Sequence, residues 1–467
     1  MNLDKVYNSI EEVLDVAESA EGERIGRFDT ANRLKNKGNK GKIGQVIEEG
    51  LFHKSVNSRA EADFIELGLE LKVTGIKVNK KKMDFSTKER LVLNHINYNE
   101  EYKCTFEESS FWKKNKNLLI MFYQYDENQH PSEFPIIKSF LHEFSSEDLV
   151  IIKQDWETII DKIKNGEAHN ISEGDTLYLG ACTKAKNAQE RCSQPFSAIP
   201  AKPRAFSLKP SYLRNFAHSV LGKNDIPALF NLNDLKTKPL VELLEDLFKP
   251  YIGKSAKELS ELVGVSLTNN KAINAKLIRT LLGIKANSLD SIEEFSKANI
   301  KFKTINLGPN GVPEQNMSFD NIDFNRWISS SWTESQVYED FQFTKYLFVV
   351  FQYYETKKQN PNRQQYLKGI VLWNMPEDII ENELKQFWAA TRKILRNGVN
   401  LRVTPKRVYN NLPGVKFNGV CHIRPKAKDS SEKVQLPDGQ WITKQCYWLN
   451  KEFIDKYIPA QLKRSKD

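Results

Sequence analysis

Two periods of hydrophobicity alternate along the chain. Leu67, Leu69, Leu71 and Val73 stand at every second position among polar residues, which predicts a half-buried strand. Leu118–Tyr125 is an unbroken apolar run, the pattern of a central strand covered on both faces. Between Ser145 and Lys164 the period changes to that of a helix: Leu149, Ile152, Trp156, Ile159, Ile160 and Ile163 share one face, and Asn165-Gly166 is its stop. Strand and helix patterns succeeding each other in this way predict a mixed α/β secondary structure.

The same patterns occur twice. KGKIGQVIEEGLF from Lys40 is echoed by KAINAKLIRTLLG from Lys271, 231 positions later, and the segments starting at Glu61 and Ile292 share that offset. LLIMFYQYDE from Leu118 matches YLFVVFQYYE from Tyr346, 228 positions on, and Trp156 and Trp388 stand 232 apart. TKAKN from Thr183 matches PKAKD from Pro425 at 242, and AFSLKPSYL from Ala205 matches CYWLNKEFI from Cys446 at 241. Each match is slight, but their common order and slowly drifting offset indicate a duplicated domain. The reading is residues 1–222 and 240–467 as two like domains, with 223–239, polar and containing Pro227 and Pro239, as the linker.

Length agrees, since 467 residues exceed one ordinary core. Apolar residues at 40% exclude wholesale disorder, and the longest apolar stretches are too short to cross a bilayer. The N-terminus lacks a signal-peptide pattern, and the five cysteines form no CxxC pair, so a reducing cytoplasm is expected. The net charge of +9 is modest until its placement is considered. Arg33, Lys35, Lys37, Lys40 and Lys42 lie in a stretch with no acid between Asp29 and Glu48. Lys77 and Lys80–Lys82 follow a strand, Lys113, Lys114 and Lys116 precede another, and Thr183–Lys209 holds six basic residues against Glu190 alone. One such run is ordinarily a solvated face; several on loops of one half favour a nucleic-acid surface.

Chemistry concentrates at Asp63, Glu70 and Lys72. On an alternating strand Glu70 and Lys72 share a face, and Asp63 lies at the strand's entry. Two carboxylates offer hard oxygens for Mg²⁺, and a neighbouring lysine can position water or offset charge on a phosphate. A polar strand face with an ordinary ion pair is the alternative for these residues alone. Glu48, on the helix-like run after Lys40-Gly41, and Lys114, before the Leu118 strand, are placed to join them.

These residues together resemble the MutH-like nucleases, which include a mismatch-repair strand-nicking protein and GATC-cutting restriction endonucleases. The likeness rests on KGKIGQVIE (Lys40–Glu48), EADFIELGLELK (Glu61–Lys72), Lys113-Lys114, DWETIIDKIKNG (Asp155–Gly166) and PRAFSLK (Pro203–Lys209), spanning about residues 25–222. The doubled length is most similar to the two-domain restriction enzymes of the family, the Sau-three-A type. The resemblance implies an α/β PD-(D/E)xK restriction-endonuclease-like fold, a mixed sheet flanked by helices, in two tandem MutH-like domains. It makes Asp63 and Glu70 metal ligands, Lys72 the lysine assisting the attacking water, and Glu48 and Lys114 its supports. It places DNA contacts at Lys40 (minor groove), Leu91 (a wedge against base steps), Lys184 (base edges) and Arg204. Two departures stand out: the family's Arg-Pro-Lys reading loop is Cys182-Thr183-Lys184 here, and the aromatic of its last motif is Ser207.

In the second half Arg279 stands for Glu48, Glu294 for Asp63, Lys301 for Glu70 and Lys303 for Lys72. A lysine at a ligand position repels a cation, so this copy is expected not to cut. It keeps Arg424-Pro425-Lys426, whose arginine can address a guanine edge with two parallel hydrogen bonds. The reading is therefore a type II restriction endonuclease, Mg²⁺-dependent, cutting both strands of double-stranded DNA at GATC-type sites. Its second domain would bind DNA as an allosteric effector, with a degenerate packing partner as the alternative; a cognate DNA methyltransferase would accompany it, and chains would associate on DNA or nick its strands in succession. A repair-type nicking enzyme and a non-enzymatic DNA-binding regulator are the alternatives.

Overall fold

Strand β1 (Glu70–Asn79) lies between β2 (Asp84–Thr87) and β4 (Asn117–Gln124), and β5 (Ile136–Glu143) closes the sheet in the order β2-β1-β4-β5. The computed structural model describes all residues except 1–3, 37, 40, 57–60, 80–83, 188, 223–225, 266–272, 285–291, 406–407 and 464–467. The chain divides into two compact units, Met1–Pro239 with Ile292–Ala298, and Leu240–Ser291 with Asn299–Asp467.

In the first unit β1 and β4 are parallel while β2 and β5 run antiparallel to their neighbours, so the sheet is mixed. The parallel pairing demands a long crossover. It contains β3 (Leu91–His95) and helix α3 (Ser110–Asn115). Leu118 to Tyr123 are all buried, as the unbroken apolar run requires of a central strand. Leu119, Met121 and Tyr123 face a core shared with Val13 and Ala17 of α1 (Ile10–Ser19) and Ile43, Val46 and Ile47 of α2 (Lys42–Gly50). On the opposite side Phe122 meets Phe140, and Phe140 meets Phe216 of α5 (Pro210–Val220). Each such side chain contributes about 1.5–3 kcal/mol by leaving water. The predicted strand at Leu67–Val73 starts later than its alternation suggests: Ile65–Leu67 form a 3₁₀ turn, Gly68 takes a positive φ of 58°, and extended pairing begins at Glu70.

The predicted helix is α4 (Ser146–Lys164), with Ser145 accepting from the Asp148 amide as N-cap and Asn165 as C-cap. It lies beside a second sheet, β3-β9-β6, built from β6 (Leu179–Thr183) and β9 (Arg204–Leu208). Between those two strands runs the hairpin of β7 (Cys192–Gln194) and β8 (Ser197–Ala201). Asp155 fixes α4 to β6 by accepting from the amides of Leu177, Tyr178 and Leu179. Within the polar stretch 223–239, Leu232–Thr237 forms a helix capped by Asn231 and Asp234, buries Leu235, and receives the Gln154 amide at the Leu235 carbonyl. Ile292–Ala298 also packs here: Ser211 Oγ donates to the Lys297 carbonyl, and Lys297 Nζ pairs with both Asp148 oxygens.

The second unit repeats the strand pair in register. Its strands are β10 (Ile300–Leu307), β11 (Met317–Asn321), β12 (Lys345–Tyr353), β13 (Gln365–Trp373), β14 (Arg402–Val403), β15 (Val408–Tyr409), β16 (Cys421–Pro425), β17 (Lys433–Gln435), β18 (Trp441–Thr443) and β19 (Gln445–Leu449). Glu70 lies opposite Leu118 and Lys72 opposite Ile120 in β1–β4; Lys301 lies opposite Tyr346 and Lys303 opposite Phe348 in β10–β12. The smaller sheets agree, with Cys182 opposite Ala205 in the first unit and Arg424 opposite Cys446 in the second. Helix Ile273–Leu281 stands in the chain where α2 stands in the first unit. The backbone pairing thus reproduces the segment matches read from the sequence, and the fold is two copies of one mixed α/β unit. Among the described residues no helix is long and apolar enough to cross a membrane.

Candidate active site

Local structure brings Asp63 and Glu70 together. Gly68 reverses the chain with its positive φ, so Phe64 pairs back onto Leu69 and Asp63 sits against the start of β1. The Asp63 amide donates to Glu70 Oε2 at 3.2 Å, and Asp63 Oδ2 accepts from the Leu71 amide at 3.0 Å. Two residues along the same face, Lys72 Nζ is 2.6 Å from Glu70 Oε1, and Lys114 Nζ, from α3, is 3.6 Å from that oxygen. Both ammonium groups are largely buried, with side chains 14% exposed.

Glu48 approaches from α2. Its carboxyl is pushed up to about 8, first by burial and then by the charges of Asp63 and Glu70, against the opposing pull of Arg33 and Lys114. Burial also raises Glu70, opposed by Lys72 and reinforced by Asp63. Three carboxylates and two ammonium groups therefore share one partly desolvated site, with the acids repelling each other. The sequence-derived set Glu48, Asp63, Glu70, Lys72 and Lys114 is assembled as one cluster.

A divalent ion suits this donor set. Mutual repulsion and burial hold two acids above their ordinary range, a strain that a nearby cation relieves, and Mg²⁺ needs only one or two protein carboxylates. Among the described residues no three ligating side chains already close on one point, and Glu70 Oε1 is taken by lysine. Loading would therefore exchange ammonium contacts for metal contacts.

Positioning depends on residues the sequence did not single out. Glu101, buried, accepts from Ser110 Oγ at 2.5 Å and from Trp156 Nε1 at 3.3 Å, tying the start of α3 to α4 and so fixing Lys114. Nothing in the sequence marks it beyond its acid type. A cavity of about 480 Å³ beside this region is lined by Glu61, Glu100, Glu101 and Glu108 rather than by Glu70 or Lys72, and its acidic wall does not suit DNA.

The expected DNA contacts are placed unevenly. Lys184 is exposed at the end of β6, its amide held by the Pro203 carbonyl. Arg204 is buried and donates to the Ala181 carbonyl at 2.7 Å, so it braces that loop from beneath. Leu91 is buried at the start of β3 opposite Leu208, not presented as an exposed wedge. Lys40 lies outside the described residues. Arg424 is exposed and lies over the Trp448 ring at 4.8 Å, and Lys426 donates to the Phe319 carbonyl. Glu294, counterpart of Asp63, instead accepts from the amides of Leu229 and Phe230.

Comparison with known proteins decides the family. The family model described as DNA mismatch repair enzyme MutH matches residues 52–155, a span holding Asp63, Glu70, Lys72 and Lys114. Type II restriction enzyme Sau3AI of Staphylococcus aureus is 31% identical over 487 residues, covering 97% of this chain and 99% of that protein. The chain belongs to the MutH-like restriction endonucleases. DNA mismatch repair protein MutH of Shewanella woodyi is 28% identical over 225 residues, 46% of this chain and 93% of that protein. A MutH-like restriction endonuclease is a site-specific deoxyribonuclease, binds double-stranded DNA and uses a divalent metal. Its PD-(D/E)xK fold is the mixed α/β unit described above.

Proposed function

We propose that the first unit performs Mg²⁺-dependent cleavage of both DNA strands at GATC-type sites, with Asp63 and Glu70 as metal ligands. The observation that carries this is the convergence of Glu48, Asp63, Glu70, Lys72 and Lys114 from four separate segments onto the edge of β1. When bound, Mg²⁺ would supply a water of lowered pKa and stabilise charge on the scissile phosphate. Lys72, freed from Glu70, would aim its ammonium at the attacking water and at a phosphate oxygen. Lys114 would hold Glu70 in place. Glu48, whose carboxyl is held up to about 8 before metal binds, is suited to exchange a proton with the water network.

Exposed lysines such as Lys184, and Lys40 by its place in the family pattern, would contact DNA from the first unit. Arg424 and Lys426 would read it from the second, which would act as an allosteric effector. Residues 1–222 would form the catalytic domain, 223–239 the linker and 240–467 the regulatory domain. With one active site per chain, cutting both strands implies association of two chains on DNA or successive nicks. A cognate methyltransferase would protect the host's own sites.

Plasmid incubated with protein and Mg²⁺ tests this reading. Linear fragments ending at GATC sites are expected; nicked circles would indicate the repair-type activity, and intact DNA with a gel shift would overturn the catalytic assignment.

A further inference from the structure

In the second unit, the place of the active site is filled by positive charge. Lys301 and Lys303 occupy on β10 the register positions of Glu70 and Lys72 on β1. Each unit keeps an ion pair between this strand position and the helix that precedes the strand's parallel partner, but with the signs exchanged. Glu70 pairs with Lys114 at 3.6 Å, and Lys301 pairs with Asp340 at 3.3 Å. Lys303 Nζ donates to the Ser318 carbonyl at 2.7 Å and lies 4.6 Å from the Phe319 ring centre. Lys426 Nζ, arriving from the end of β16, donates to the next carbonyl, that of Phe319. Two ammonium groups thus sit on consecutive carbonyls of β11, and Lys301 is two residues from Lys303 on the same strand.

This arrangement sets like charges against one another. Lys303 is pushed down to about 8, first by burial and then by Lys426, with Lys301 adding to the effect and Asp320 and Asp340 opposing it. Asp340 is already engaged, accepting from Tyr447 Oη as well as from Lys301. Lys303 and Lys426 each have three N–H donors, and one neutral carbonyl does not saturate them. Arg424, two residues before Lys426, is exposed and lies over the Trp448 ring. Like charges gathered on one strand edge, partly buried and with donors to spare, match a tetrahedral oxyanion.

We propose that this lysine cluster is a metal-independent clamp for one DNA phosphate, formed by Lys301, Lys303 and Lys426. The clamp rests on the reading of the second unit as a DNA-binding domain, and it assigns that domain a fixed point of contact. In the first unit a cation must be recruited before a phosphate is held; in the second the cations are built in. The second unit would therefore engage DNA in the absence of any divalent ion. The clamp fixes the register from which Arg424 addresses a base edge, because phosphate contacts position and base contacts specify.

The test is a cycle between protein and phosphate on the full chain in EDTA. A GATC duplex is scanned with single neutral methylphosphonate substitutions, against wild type, Lys303→Met and Lys301→Ala. At one position the substitution is expected to weaken wild-type binding by about five- to ten-fold and to leave Lys303→Met unaffected. The slope of log affinity against log salt falls by about one in the variant. Lys303→Arg keeps the wild-type pattern. Because Lys303 is charged against its surroundings, Lys303→Met leaves thermal stability unchanged or raised; Lys301→Ala, at a side chain 39% exposed, carries the same scan if it does not fold. Methylphosphonates that weaken wild type and both variants equally at every position overturn the clamp. Arg424→Ala tests the underlying reading separately, since loss of preference for GATC over scrambled duplex supports base reading whether or not the clamp exists.

Discussion

Lys72 Nζ lies 2.6 Å from Glu70 Oε1, so the lysine expected to assist catalysis is neutralised by the carboxylate expected to bind metal. The two side chains share a strand face, two residues apart, and both are largely buried. Metal and lysine thus compete for one oxygen, and loading would release the ammonium toward the phosphate. Glu70→Ala is expected to lower DNA cleavage by at least about a thousand-fold. DNA binding measured in Ca²⁺ should change little, since phosphate contacts elsewhere supply most affinity. Retained cleavage would move the metal site away from Glu70.

Glu48 gives a second, independent readout. Its carboxyl, held up to about 8, is mostly protonated at pH 7 in the metal-free protein. Burial raises it most, and the charges of Asp63 and Glu70 add to that. A divalent ion beside those two acids cancels their share, so binding near pH 7 should release part of a proton from Glu48. Calorimetric titration with Ca²⁺ in buffers of different ionisation enthalpy measures that release. Glu48→Gln is expected to reduce it while leaving ion binding detectable; equal proton release in both proteins would place the titrating group elsewhere.

How much of this was readable in advance follows from which interactions are local. The α4 helix is written in its own residues: Ser145 caps it, Ile152, Ile159 and Ile163 repeat on one face, and Asn165 ends it. The duplication was legible because Leu118–Tyr125 and Tyr346–Glu355 keep the same apolar run, and the register of β1–β4 and β10–β12 bears it out. The start of β1 was misjudged, since alternation at Leu67 and Leu69 looks the same in a 3₁₀ turn closed by Gly68. The burial of Arg204 and Leu91 and the bracing by Glu101 depend on segments distant in sequence, for which a basic, apolar or acidic letter carries no signal. The sign-exchanged pair Lys301–Asp340 was half visible: the lysine shows in the register, whereas its partner depends on how a helix packs.

Lys297 illustrates such a distant dependence. Its ammonium, 13% exposed, reaches Asp148 at 2.7 Å and Glu293 at 2.5 Å, while Tyr212 Oη donates to Asp148 at 2.9 Å. Removing one partner of a buried ion pair strands the other charge, at about 3 kcal/mol or more. Lys297→Met is expected to destabilise the first unit by that amount in urea unfolding, although it lies past residue 239. Lys297→Met combined with Asp148→Leu should recover part of the loss, because the stranded carboxylate is then gone; additive losses would mean that the pair does not couple.

His142 predicts how this unit responds to acid. The imidazole is buried between Phe144 and Phe216, at ring distances of 4.8 and 4.1 Å, with Nε2 lacking a hydrogen-bond partner. Burial, aided by the charge of Lys297, lowers its pKa from the ordinary 6.5 to about 4. The unfolded chain therefore binds the proton more readily than the folded one between those values. Stability is unaffected by this group above pH 6.5 and declines as pH falls through the window, by about 1.4 kcal/mol per pH unit and roughly 3 kcal/mol in all. Carboxylates begin to titrate in the lower part of the window, so the contrast is clearest between pH 6.5 and 5. His142→Phe keeps the aromatic packing and removes the titration. Urea unfolding across that interval should give a stability curve for His142→Phe flatter than wild type by roughly 2 kcal/mol. Parallel curves would show that the imidazole is charged or solvated in the folded protein, and that the acid sensitivity of the unit resides in its carboxylates.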